Sequence, residues 1–200
     1  MRLDYSYMGY TQKTVELIDP LLSGVRTVVD LGAQNDYRHP TLPAPYVKDT
    51  YYHNKGYVAF DISGENGSEP YDLSVLHNFP MQYDLVVDAG TSEHVGRGGS
   101  FSWEAIYNRW KNKHRLAKTM GFIVSENPKT GNWPGHGFNY YTEGFYKELA
   151  TLAEYLVISL GEHPAMGNTI NGWNVYCVLQ KNREEFISLE EFRGCGIRTG

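Results

Sequence analysis

Residues Thr27 to Tyr37 read T-V-V-D-L-G-A-Q-N-D-Y. Val28, Val29 and Leu31 flank a single acid, Asp30, and Gly32 follows at once. An apolar run this short, stopped by glycine, fits a strand buried on both faces of a parallel sheet. The glycine lets the backbone turn sharply and lets a ligand come close. Open α/β sheets bind ligands beyond the carboxyl ends of their strands, where strand order reverses. One segment therefore predicts both an α/β sheet and the place of its site, just after Leu31.

The rest of the chain alternates strand and helix signals. Val15, Leu17, Ile18, Leu21 and Leu22 give Thr14 to Leu22 an apolar helical face, with Thr11 or Thr14 as its cap. The first strand is expected at Arg26 to Leu31. Pro40, Pro43 and Pro45 exclude a helix from the first half of Asp36 to Lys55 and leave room for a short one from Ala44 to His53. That stretch, residues 36–56, reads as an insertion, either functional or a plain surface loop. Further strands are expected at Tyr57 to Ile62, Tyr71 to Leu73, Tyr83 to Ala89, Phe122 to Glu126, Tyr155 to Leu160 and Trp173 to Gln180. Helices are expected at Phe101 to Thr119, at Glu143 to Glu154 behind a Thr142 cap, and at Glu184 to Phe192. The loop from Gly161 to Gly172 has no room for a crossover helix, so the last two strands should be antiparallel.

Trp103, Ile106, Tyr107 and Trp110 share a helix face and are expected in the core, as are Trp173 and Tyr176. Arg109, Lys111, Lys113, His114, Arg115 and Lys118 read as a solvated outer face, with a phosphate or acidic-substrate contact as the alternative. The length suits one domain: a leading helix within 1–24, the sheet, and a frayed tail over 182–200.

A net charge of −5 gives the molecule no general attraction to a polyanion, so nucleic acid is not an expected partner. Cys177 lies in an apolar run and Cys195 in a glycine-flanked tail, too few for a disulfide framework. No apolar run approaches the roughly 20 residues needed to cross a bilayer. The segment M-R-L-D-Y-S-Y lacks the apolar stretch of a secretory signal, so a cytoplasmic protein is expected. The seven histidines are scattered without a close metal-ligand pair, and no metal is expected. Neither a Walker-type phosphate loop nor a G-x-S-x-G elbow is present.

With these motifs, from Val15 to Gln180, the chain resembles class I S-adenosylmethionine-dependent methyltransferases. Asp30 and Gly32 match the start of that family's D-x-G-x-G-x-G motif, while Gln34 and Asp36 stand where its second and third glycines would be. Asp61 matches the acid at the end of strand two, Asp72 the acid after strand three, and Asp88-Ala89-Gly90 the fourth motif. G-T-S-E-H-V after strand four and His136-Gly137-Phe138 before Tyr141-Thr142 also resemble family segments, the latter on the substrate side.

The resemblance implies a single Rossmann-like domain, doubly wound, with a mostly parallel seven-stranded sheet and an antiparallel last strand. It implies S-adenosyl-L-methionine as cofactor, held by Asp30, Gly32, Gln34, Asp61, Asp72, Asp88 and Ala89. Asp61 would take both ribose hydroxyls, Asp72 the adenine amino group, and Asp88-Ala89 the methionine end. With no added substrate domain, a small-molecule or sugar-like acceptor is expected.

Methyl transfer is an in-line displacement, so alignment is the main requirement, and a base is needed only for a nucleophile that holds its proton tightly. His94 and His136 are the candidate bases, with Glu93 orienting or binding substrate; alternatively both histidines only pin their loops. The tetrapeptide that marks methylation of exocyclic amino groups is absent, D-A-G-T standing in its place. Two other readings remain: a binding or assembly module that keeps the fold, favoured by the missing glycines, and another enzyme using the same cofactor.

Overall fold

In chain order the elements are β1 (Gly9–Tyr10), α1 (Gln12–Ile18), β2 (Thr27–Leu31), β3 (Asn35–Asp36), α2 (Val47–Thr50), β4 (Gly56–Asp61), β5 (Glu69–Pro70), β6 (Tyr83–Ala89), α3 (Trp103–Leu116), β7 (Ala117–Pro128), α4 (Glu143–Leu152), β8 (Leu156–Pro164), β9 (Trp173–Gln180) and α5 (Leu189–Gly194). This computed structural model describes residues 9–38, 46–165 and 172–197.

Seven strands form one sheet in the order β5-β4-β2-β6-β7-β9-β8. β2 pairs parallel with β4 on one side and with β6 on the other. The order therefore reverses at β2, where a crevice for ligand opens in such sheets. β9 alone runs backwards, antiparallel to both β7 and β8, as expected. β1 and β3 make a separate parallel pair that lays the N-terminal segment beside the loop after β2.

Successive strand residues face opposite layers. Val29, Leu31, Val86 and Ile123 pack with Trp110, Phe145, Tyr146 and Phe192 from α3, α4 and α5. Val28, Leu85, Val87 and Val124 pack with Tyr10, Val15, Ile18, Val47 and Tyr52 from the other layer. Burial on both faces explains why the strands read as continuous apolar runs. Thr11 and Thr14 form a capping box on α1, Thr142 accepts the Phe145 N–H, and Ser188 with Glu191 boxes α5.

Several boundaries differ from expectation. α1 ends at Ile18 and continues as a 3-10 turn over Asp19–Gly24, because Pro20 has no N–H for an α-helix. The helix expected from Ala44 is the single turn α2; Ala44 itself lies outside the described residues. The third strand is Glu69–Pro70 rather than Tyr71 to Leu73. Proline is tolerated there because the strand lies at the sheet edge, and Asp72 then turns the chain by accepting the Ser74 N–H.

α3 stops at Leu116 instead of Thr119, and Ala117 already pairs with Tyr83. The Lys118–Asp84 ion pair at 2.7 Å holds that early start of β7 in the sheet. The last helix begins at Leu189, and Cys195 and Ile197 are buried in the core rather than frayed. Trp173, expected inside, is 42% exposed.

Candidate functional site

The site is built outward from Asp88 near the end of β6. Its carboxylate is fully buried and pairs with Lys113 and, at 3.2 Å, with Arg109, both from α3. Ser125 Oγ, the Ser92 N–H and the Ser92 hydroxyl also donate to it. Burial alone would raise this carboxyl, but the charges of Lys113 and then Arg109 hold it well below the usual carboxylate range. Arg109 further reaches Ser92 Oγ and the Leu31 carbonyl, so one cation ties β2 to the turn after β6. Of the six basic residues read as an outer face, three thus face inward. Arg109, Lys113 and His114 are buried, and His114 contacts the Tyr155 hydroxyl at 2.7 Å.

Ser92, so anchored, begins a 3-10 turn over Ser92–His94. Asn139 clamps that turn, its amide donating to the carbonyls of Ser92, Glu93 and Val95 at 3.0 to 3.2 Å. The Phe138 N–H donates to the Glu93 carbonyl at 2.7 Å. Gly137 lies so close that a Cβ there would meet the Glu93 carbonyl oxygen at 2.7 Å. Tyr140 OH accepts the N–H groups of both His136 and Gly137 at 3.0 Å.

The loop after β7 is therefore docked on the loop after β6. Glu93 Oε1 lies 3.8 Å from His94 Nε2 and 3.6 Å from His136 Nε2. Glu93, His94 and His136, which show no metal-ligand pattern in the sequence, bring one ligand atom each within 4.8 Å of one another.

Ala89, Gly90, Glu93 and His136 line one crevice together with Glu126 and Trp133. Sequence reasoning missed Glu126, which is 4% exposed and accepts from Thr14 Oγ1, His163 Nε2 and Asn174 Nδ2 at 2.8 to 2.9 Å. Burial works against its charge, but the His163 hydrogen bond and charge outweigh it and hold the carboxyl below its usual value. An acid at the end of the expected strand Phe122 to Glu126 was the available signal. The roles of Asn139 and Lys113 were not legible, because each acts through a partner distant in sequence, on the loop after β6 and on β6 itself.

The remaining candidates are distributed around β2 and β4. Gly32 follows β2 with φ +119°. The Gln34 side chain folds over it and donates to Thr91 Oγ1 at 2.9 Å. A Cβ on Gly32 would meet Gln34 Nε2 and Thr91 Oγ1, each at 2.5 Å. Asp61, at the tip of β4, accepts the Ser63 N–H and hydroxyl at 2.8 and 2.7 Å. Partial burial opposes its charge, but those bonds hold its carboxyl below the usual value.

Asp72 is exposed on the turn after β5. Asp30 faces the opposite layer from Asp88, fully buried, with the Tyr57 hydroxyl at 3.2 Å. Burial raises its carboxyl well above the ordinary value. The structure thus gathers Ala89, Glu93, His94 and His136, sets Gly32, Gln34 and Asp61 at neighbouring strand ends, and leaves Asp30, Asp72 and Asp88 apart from the crevice.

The strand order, with its reversal at β2 and a single antiparallel strand, defines a class I methyltransferase fold. No model of a known sequence family and no curated protein matches the chain. Among solved structures it is similar to the N-methyltransferase NodS from Bradyrhizobium japonicum WM9 in complex with S-adenosyl-L-homocysteine. The two share 10% identity over 86% of this chain and 87% of that one, with a TM-score of 0.63.

It is also similar to 1,6-didemethyltoxoflavin-N1-methyltransferase from Burkholderia thailandensis, at 14% identity over 86% and 78% of the two chains and a TM-score of 0.60. A third similar structure is the 4+2 cyclase SpnF, at 8% identity over 90% and 84%, with a TM-score of 0.57. Likeness at these identities establishes the fold, and one fold carries more than one chemistry. No described helix is long and apolar enough to cross a membrane.

Proposed function

We propose that this chain is an S-adenosylmethionine-dependent methyltransferase acting on a small-molecule or sugar-like acceptor. The observation that carries the reading is the crevice at the tips of β6 and β7, where Ala89, Gly90, Glu93 and His136 meet beside the strand-order reversal. The cofactor, when bound, supplies an electrophilic methyl group on a sulfonium.

The chain's own residues do the rest. Gly32, left-handed and without a side chain, offers backbone to a ligand approaching the end of β2. Asp61, part-exposed and held ionised, suits a ribose diol, since a carboxylate accepts two hydrogen bonds at once. Asp72, exposed, is the acceptor for an adenine amino group. Asp30 and Asp88 position the two strand ends from within the core instead of touching the ligand. Ala89 lines the methionine end, and His94 or His136 takes the acceptor's proton with Glu93 between them.

Gln34 supports a second reading, a binding module that keeps the fold. Its side chain lies over Gly32, and Asp61 already has partners within its own loop. Calorimetric titration with S-adenosylmethionine and S-adenosylhomocysteine separates the two. Saturable binding is expected, and Asp61→Ala should weaken it by about 2 kcal/mol, roughly 30-fold, for the loss of charge-assisted bonds. A folded protein that binds neither compound makes the module the correct reading.

A further inference from the structure

We infer that Glu93, His94 and His136 form a binding site for a divalent transition-metal ion of the zinc type. The side chain of Glu93 is 0% exposed, yet among the described residues neither of its carboxyl oxygens has a hydrogen-bond donor. A buried, unsatisfied carboxyl is costly, and native structures rarely leave one without a role. Two imidazole Nε2 atoms, of His136 and His94, lie 3.6 and 3.8 Å from one of those oxygens.

Those gaps are too long for hydrogen bonds and too short to hold a bridging water between the groups. They are close to the spacing of atoms that share one ion: bonds of about 2.0 to 2.1 Å at a tetrahedral angle set ligands roughly 3.4 Å apart. The two gaps to Glu93 need to contract by only a few tenths of an ångström, and all three ligand atoms already lie within 4.8 Å of one another.

The chemistry of the donors selects the ion. Two imidazoles and one carboxyl suit zinc, iron, cobalt or manganese, whereas magnesium and calcium favour all-oxygen sets. The group is also pre-formed. Asn139 and the Phe138 N–H fix the carbonyl of Glu93, Asp88 fixes Ser92 before it, and Tyr140 fixes the backbone of His136. These contacts fix the backbone that carries Glu93 and His136, so the ligands start from set positions. Three protein ligands leave a position open, and Glu93 and His136 face the crevice lined also by Ala89 and Glu126. An ion held there would bind an acceptor hydroxyl and lower its pKa, so that the proton passes to solvent water and the histidines serve as ligands instead of bases. This last step rests on the proposed methyl transfer; binding of the ion does not.

Chelator-treated full-length protein, without cofactor, is titrated with Co²⁺ and read by its visible absorption, then with Zn²⁺ in competition. Expected are saturation at one Co²⁺ per chain, displacement by Zn²⁺, and no displacement by equimolar Mg²⁺. Glu93→Gln and His136→Ala should weaken binding by more than about 100-fold, since losing even an outer-shell partner commonly lowers affinity 10- to 100-fold. Should the buried substitution at Glu93 unfold the chain by circular dichroism, His94→Ala decides, because that imidazole is 37% exposed and its removal spares the core. No saturable Co²⁺ binding by folded protein, or unchanged binding in His94→Ala and His136→Ala, overturns the site. A protein that binds cobalt but not S-adenosylhomocysteine keeps the metal site and loses the methyltransferase reading; the opposite pattern does the reverse.

Discussion

Asp30 and Asp88 lie in adjacent strands, β2 and β6, yet burial treats them oppositely. Asp88 meets Lys113 and Arg109 and stays ionised. Asp30 meets tyrosine hydroxyls, is raised well above the ordinary value, and has one oxygen with no donor among the described residues. An oxygen that carries a proton needs no donor. Asp30→Asn places an amide there without new charge, so stability at pH 7 should hold or rise. In the wild type the native state keeps a proton that the unfolded chain releases above pH ~3.9, so stability falls as pH rises from there by up to about 1.4 kcal/mol per unit. Urea unfolding of both proteins from pH 5 to pH 8 should show that slope reduced in the variant.

Lys113 is the opposite test. Lys113→Met leaves Asp88 buried with Arg109 as its remaining cation, at a cost of about 3 kcal/mol, the low end for breaking a buried pair. Adding Asp88→Asn should recover part of that loss. A double variant whose destabilisation equals the sum of the singles would show that the pair is not coupled.

At the scale of elements, α3 is where sequence and structure part most. β6 and β9 were legible to the residue, since apolar runs with defined ends need no partner to be recognised. The caps at Thr11 and Thr142 were legible for the same local reason. The basic face of α3 was not, because Asp88 lies 21 and 25 residues before the cations it pairs with, on a strand. The ligand-like group of Glu93, His94 and His136 was hidden likewise, its two halves joined only when one loop docks on the other. Gln34 was legible as a departure from the glycine pattern; that it would fold over Gly32 onto Thr91 was not.

His114 makes the burial of α3 measurable. Desolvation, then the Lys181 charge, pushes its imidazole down to about 4. The native state therefore refuses a proton that the unfolded chain takes near pH 6.5, and stability is lost as pH falls from about 6.5 to 4. The interval corresponds to about 3 kcal/mol in full, of which about 2 kcal/mol should be gone by pH 5. His114→Gln keeps a polar side chain beside the Tyr155 hydroxyl and does not titrate. Its unfolding free energy should change less between pH 7 and pH 5 than that of the wild type, measured against urea.

For the whole molecule, one side-chain contact bridges the loops that leave the sheet at its point of reversal. Strands β4 and β5 extend from one side of β2, and β6, β7, β9 and β8 from the other. The Gln34–Thr91 hydrogen bond spans the loops after β2 and β6, across the point of reversal. With the side chain of Gln34 2.5 Å from a Cβ position on Gly32, a ligand seated on the Gly32 backbone must first displace it.

Displacement breaks one neutral hydrogen bond and reorders one side chain, about 1 to 1.5 kcal/mol together. Gln34→Gly removes that barrier and restores the glycine spacing of the family pattern, at a loss of up to about 1 kcal/mol in fold stability from added backbone freedom. The variant should bind S-adenosylhomocysteine up to about tenfold more tightly than wild type while melting at a lower temperature without ligand. Unchanged affinity would mean that Gln34 does not occupy ligand space. Weaker affinity would make it a contact that holds the ligand, as the motif position implies. Either result locates the cofactor relative to the strand reversal, which calorimetry on the wild type alone cannot do.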